Sequence, residues 1–175
     1  HDILRLDAHV TGVDIKADLI ESHQKKAQSL GWSQLNFVVG QIADYKPEII
    51  PNVVIALHAC DTATDDALAQ GIQWDSQLIV CAPCCHKELR AQLASPHPLR
   101  AILKHGVHLG QEAEMVTDGL RALLLEASGY ATQVFEFVSL EHTSKNKMIL
   151  AIGRPQPLTP DRRDELLRQI AEIKA

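Results

Sequence analysis

Residues 52–82 read NVVIALHACDTATDDALAQGIQWDSQLIVCA. Asn52–Leu57 has the unbroken apolar character of a strand buried on both faces. Thr62-Ala-Thr-Asp65 carries capping-box spacing and opens a short helix predicted to end at Gly71. Gln77–Ala82 is then a second buried strand. Strand, helix and strand in such quick succession specify a mostly parallel sheet covered on both sides by helices.

The same alternation extends outward in both directions. Ala8–Asp14 is a β-branched stretch ending in Asp, followed by apolar positions at Leu19, Ile20, His23, Ala27 and Leu30 before Gly31, the period of an amphipathic helix. Leu35–Val39 is a strand closed by Gly40. Beyond Pro83, one helix is expected through Leu93 and another from Pro98 to Gly106. A longer helix is expected over Gln111–Ser128, about 27 Å at 1.5 Å per residue, with Gly129 as its C-cap. Ala131–Val138 and Asn146–Ile152 form a hairpin across the polar loop 139–145. Thr159 and Pro160 open a final helix that should bury the stripe Leu166, Leu167, Ile170 and Ile173. The domain organisation read from this is 1–153 as the principal domain, with 154–175 as linker and C-terminal amphipathic helix.

Composition narrows the function classes. The 175 residues are 46% hydrophobic and 22% charged, enough apolar material for one sizeable core. A net charge of −5 leaves no broad cationic surface for holding phosphates by charge alone, so a nucleic-acid partner has to be argued locally. With two Trp, two Tyr and three Phe, single-strand stacking is weakly supported as well. Apolar runs are far shorter than the roughly 20 residues of a bilayer span, so no membrane partner is expected. Four cysteines, two of them adjacent, suit a reducing cytoplasm better than a disulfide scaffold. The opening His-Asp-Ile-Leu-Arg-Leu has no initiator Met and no signal layout, and reads as the interior of a longer chain with an upstream segment or domain. Nothing in the pattern selects an oligomeric state.

In open α/β sheets, ligands sit beyond the carboxyl ends of the strands. Asp14 ends the first visible strand, where a carboxylate accepts ribose hydroxyls; its alternative role is to favour a helix N-terminus. Gly40, Gln41 and Ile42 follow the next strand, either beside an adenine or as a simple turn. The two strands of the opening stretch end in Leu57-His-Ala-Cys-Asp-Thr and Val80-Cys-Ala-Pro-Cys-Cys-His-Lys87. If these strands are neighbours, their ends are about 5 Å apart, and His58, Cys60, Asp61, Cys84, Cys85, His86 and Lys87 converge on one crevice. Zinc is a rival reading, yet Cys81 lies within a strand and adjacent cysteines rarely share one tetrahedral ion. On the long helix, Glu114, Asp118 and Arg121 share a face, which reads as an exposed ion pair beside apolar Met115, Leu120, Leu123 and Leu124. His142, Lys145, Asn146 and Lys147 either reach over the crevice toward a substrate phosphate or solvate the hairpin tip.

Taken together, Val10-Thr-Gly-Val-Asp14, Leu57-His-Ala-Cys-Asp-Thr-Ala-Thr-Asp65, Ala82-Pro-Cys-Cys-His-Lys87, Glu114-Met-Val-Thr-Asp-Gly-Leu-Arg121 and Glu141-His-Thr-Ser-Lys-Asn146 resemble a group of class I S-adenosylmethionine-dependent methyltransferases. The likeness is to bacterial methyltransferase-domain proteins over about residues 8–153. It extends more distantly to the catalytic domain of the eukaryotic tRNA acceptor-stem 2′-O-ribose methyltransferase. A Rossmann-like sheet that closes by inserting an antiparallel strand is the arrangement of that class.

The resemblance implies S-adenosyl-L-methionine as cofactor, with Asp14 on its ribose, Gln41 and Ile42 beside its adenine, and the methyl aimed between His58 and Cys84. His58, Asp61 and Lys87 would be the catalytic residues. Cys84, Cys85, His86, His142, Lys145 and Asn146 would bind substrate. One departure from the family is that the chain begins after its Gly-rich loop, so the first strand and that loop are expected to be absent. The strands ending at Asp14 and Leu57 would then not pair directly. The resulting reading is a cytoplasmic methyltransferase domain with RNA, tRNA above all, as the leading substrate class. The alternatives are a non-catalytic Rossmann-like binding module and a zinc-stabilised interaction module.

Overall fold

The structure is a computed structural model that describes residues 7–57, 59, 62–84, 86–93, 98–138 and 146–174, with no side chain described at Lys87. The chain divides into two compact units, His1–Glu48 and Ile49–Ala175. Among the described residues the strands form two sheets.

The first unit is β1 (Val10–Asp14), α1 (Ala17–Ser29), β2 (Leu35–Val39) and a short 3₁₀ turn, Ile42–Asp44. β1 and β2 are parallel, in register from Val10 opposite Leu35 to Asp14 opposite Val39. Helix α1 buries Ile20 and Ala27 and ends at Gly31, whose φ of +69° is the left-handed conformation a glycine C-cap supplies. Its Gln24 Oε1 accepts the Phe37 amide at 3.1 Å, which ties the helix to β2. Gly12 has a packing role: a Cβ there would stand 2.7 Å from the Phe37 ring on the neighbouring strand.

The second unit contains β3 (Val53–Leu57), α2 (Thr62–Gln73), β4 (Leu78–Ala82), α3 (Lys87–Gln92), α4 (Arg100–Leu103), α5 (Gly106–Ala127), β5 (Tyr130–Glu136), β6 (Lys147–Gly153) and α6 (Pro160–Lys174). Its sheet order is β3-β4-β6-β5, with β3 and β4 parallel and β6 inserted antiparallel to both β4 and β5. The expected hairpin is therefore present, and β1 and β3 stand in different sheets.

Helices α2 and α5 pack on the strands, and α6 packs on α5. Between them they enclose Ile79, Cys81, Leu125, Ile149, Ala151 and Leu166. Tyr130 reaches into this layer, its hydroxyl donating to the Ser76 carbonyl at 3.0 Å. Helix α2 passes through Gly71 instead of stopping there. A Cβ at that position would stand 2.7 Å from Ile79 Cδ1, so glycine is what lets helix and strand approach.

Four expectations change. β3 is not buried on both faces: Val54 and Ala56 are covered, whereas Val53, Ile55 and Leu57 are exposed, because the helices of this unit lie against one side of the strand. Helix α5 begins at Gly106, five residues before the expected start, since His105 turns the chain into it and a glycine in the first turn interrupts no earlier helical hydrogen bond. Along α6, Leu166 and Ile170 are buried but Leu167 and Ile173 are exposed, a stripe narrower than the one predicted. On α5, Met115 and Leu124 are exposed while Asp118 and Arg121 face inward, the reverse of the expected amphipathic orientation.

Candidate functional site

In the first unit, the carboxyl ends of β1 and β2 bring Asp14 and the Gly40–Ile42 turn together. The Gly40 amide donates to the Asp14 carbonyl at 3.0 Å, and Gln41 caps the 3₁₀ turn with Ile42 half-buried at its start. Asp14 is half-buried, and its Oδ1 accepts the Lys16 amide at 2.9 Å at the entry to α1. Both roles considered for this residue are therefore available: one oxygen organises the helix entry while Oδ2 has no hydrogen bond among the described residues. A carboxylate so placed fits the ribose of a nucleoside cofactor, with the exposed Gln41 side chain suited to an adenine edge.

In the second unit, β3 and β4 are parallel neighbours with Leu57 opposite Ala82, so the segments leaving both strands start from one edge of the sheet. His58, Asp61 and Cys85 lie outside the described residues, as do His142 and Lys145. Lys87 is the first residue of α3. Cys84 is half-buried in the β4–α3 connection, and Cys81 is fully buried within β4. Burial pushes the Cys81 thiol up to about 12, so it stays protonated in the neutral range. Among the described residues no three His, Cys, Asp or Glu side chains are grouped to hold a metal ion.

Asn146 does not stand at an exposed loop tip. It is fully buried immediately before β6, its Nδ2 donating to the Val138 carbonyl at 2.8 Å. Lys147 pairs with Glu114 of α5 at 2.9 Å.

The largest departure from sequence reasoning is a buried charge cluster beside the β4–α3 connection. Arg121 grips Asp65 with two parallel bonds, Nε to Oδ1 at 2.7 Å and Nη2 to Oδ2 at 3.0 Å, while Nη1 meets Asp118 Oδ1 at 3.5 Å. The same Asp118 oxygen lies 4.0 Å from Nδ1 of the buried His86. Asp118 is 2% exposed and Arg121 4%, so this is no surface ion pair.

Burial pushes the Asp118 carboxyl up to about 6; Arg121 pulls the other way and Glu114 adds to the rise. For Arg121, burial opposes the charge, but the bond to Asp65 and the surrounding carboxylates raise its pKa above that of a free guanidinium. Asp65, His86, Leu89, Thr117 and Arg121 border a recess of about 190 Å³. The sequence holds one signal of the cluster, an Asp and an Arg three residues apart on one face of the long helix. The second carboxylate, 56 residues away, becomes visible only in the fold.

Comparison with known proteins agrees with this architecture. The 23S rRNA methyltransferase ErmE superposes with a TM-score of 0.53 at 12% identity, over 95% of this chain and 60% of that one. The chain thus spans 60% of the length of that relative. The N-methyltransferase NodS from Bradyrhizobium japonicum WM9 aligns with a TM-score of 0.43 at 9% identity, over 82% of this chain and 73% of that one. No curated protein matches the sequence. The fold is α/β with mixed sheets, similar to the Rossmann-like class I methyltransferases. Residues 2–92, just over half of the chain and inclusive of Asp14, the Gly40–Ile42 turn and both strand-end segments, match the methyltransferase-domain family, and the chain belongs to that family.

Proposed function

We propose that this chain is the catalytic part of a cytoplasmic S-adenosyl-L-methionine-dependent methyltransferase acting on RNA, with tRNA as the leading substrate and residues 1–153 as the catalytic domain. The observation that carries the reading is the family match over residues 2–92, which takes in the whole proposed cofactor set and both strand-end motifs. The 23S rRNA methyltransferase among the structural neighbours and the more distant resemblance of the motif segments to the eukaryotic tRNA acceptor-stem 2′-O-ribose methyltransferase favour RNA as the acceptor.

S-adenosyl-L-methionine supplies an electrophilic methyl group on a sulfonium. Asp14 holds the ribose hydroxyls, while Gln41 and the Ile42 amide receive the adenine. His58 accepts the proton of a ribose hydroxyl as the new bond forms, Lys87 as a cation steadies the developing negative charge on that oxygen, and Asp61 is the further candidate for the base. Cys84, Cys85 and His86 line the acceptor, which leaves alignment as the main task of the protein in an in-line displacement. His142 and Lys145 contact the RNA backbone.

The test is transfer of tritiated methyl from S-adenosylmethionine to bulk tRNA and, separately, to ribosomal RNA. Ribonuclease-sensitive label that His58→Ala abolishes is expected in tRNA. Label confined to protein or small molecules would refute the RNA assignment.

A further inference from the structure

We propose that Arg121 and Asp118 of α5 are positioning residues that fasten the first turn of α2 to His86 at the entry to α3. Asp65 lies in that first turn, four residues beyond Asp61, and Arg121 holds both of its oxygens at 2.7 and 3.0 Å. On the other side, Asp118 Oδ1 stands 3.5 Å from Arg121 Nη1 and 4.0 Å from His86 Nδ1, immediately before α3. One guanidinium and one carboxylate on a single helix therefore face both segments at once.

Geometry and cost both argue that this is more than packing. A planar guanidinium in bidentate grip fixes orientation as well as distance, which a lysine or an apolar side chain does not. Keeping two charges in a core is expensive, and apolar residues of similar size commonly do as well or better for stability alone. Asp118 Oδ2 is moreover buried with no hydrogen-bond partner among the described residues, an arrangement that stability by itself disfavours. Thr64 Oγ1, donating to the Ala59 carbonyl, braces the same turn of α2 from within.

The catalytic value of the fastening rests on the methyltransferase reading; the fastening itself does not. Its test is hydrogen exchange in α3 and the first turn of α2 for wild type, Asp65→Asn, Asp118→Asn, Arg121→Met and Arg121→Lys. Exchange is read alongside thermal midpoint, S-adenosylmethionine affinity and the rate of methyl transfer to bulk tRNA.

Asp65→Asn and Arg121→Met should each speed exchange in both segments at least tenfold. The double variant should add little to either single change. Arg121→Lys should recover part of the protection. Methyl-transfer kcat should fall at least twentyfold with cofactor affinity within twofold of wild type.

Exchange unchanged within twofold in α3, or strictly additive single variants, would overturn the proposal. So would a loss of kcat that merely follows the thermal midpoint. Arg121→Met is the variant most exposed to misfolding; Asp65→Asn, at the half-exposed end of the pair, keeps the test decisive. A wild-type protein that transfers no methyl to any RNA would instead refute the RNA methyltransferase reading, and the exchange measurements would still decide the fastening.

Discussion

At Asp118, ionisation and folding pull against each other. The carboxyl has an ordinary pKa of 3.8 when free and about 6 in the folded protein, where burial outweighs the attraction of Arg121. The fold therefore binds this proton more tightly than the unfolded chain does. The resulting stabilisation is complete below pH 3.8 and is lost as pH rises through 6, leaving a penalty of roughly 3 kcal/mol at pH 8. Asp118→Asn, which mimics the protonated group, should gain about that much over wild type at pH 8 and almost nothing at pH 4 in denaturant unfolding. Equal pH slopes for the two proteins would show that Asp118 is not buried as described. The burial of this pair was not legible in the sequence. Charges spaced along a helix read as a solvated face, and the carboxylate that makes Arg121 worth burying comes from a different helix. The position of Asp14 was legible, because a carboxylate closing a strand ahead of a helix is fixed by the strand–helix pattern itself.

The elements follow from the apolar pattern where strands are short and bounded, as at β3, β4 and the β5–β6 hairpin. They depart from it where a glycine has a packing role that no local pattern records. Gly71 was read as a helix end; in the fold it is the contact point of α2 on β4. Gly71→Ala should cost about 1–3 kcal/mol by overpacking, against a helix-propensity gain of about 1 kcal/mol. Ile79→Val, which removes the nearest methyl, should recover part of that loss in the double variant. Independent, additive effects in thermal unfolding would contradict the contact. Helix α6 offers a sharper contrast, since Leu166 is 1% exposed and its neighbour Leu167 42%. Leu166→Ala should cost about 2–5 kcal/mol and Leu167→Ala under about 0.5 kcal/mol. Similar losses at both positions would mean that the whole predicted stripe is covered.

For the molecule as a whole, the alternation of strands and helices with a closing hairpin was readable from the sequence. The division into two units and the one-sided burial of β3 were not, because apolar strand residues look alike whether one face is covered or both. Among the described residues no helix is long and apolar enough to cross a membrane. The proposed function requires cofactor binding, and Asp14 is the residue through which that proposal is most directly tested. Calorimetric titration of S-adenosylmethionine into the full-length natural protein and its Asp14→Ala variant should give micromolar affinity for the wild type. The variant should be weaker by about 1.5–3 kcal/mol, the worth of hydrogen bonds to a charged acceptor. Absence of binding by the wild type, or equal affinity in the variant, would contradict the account.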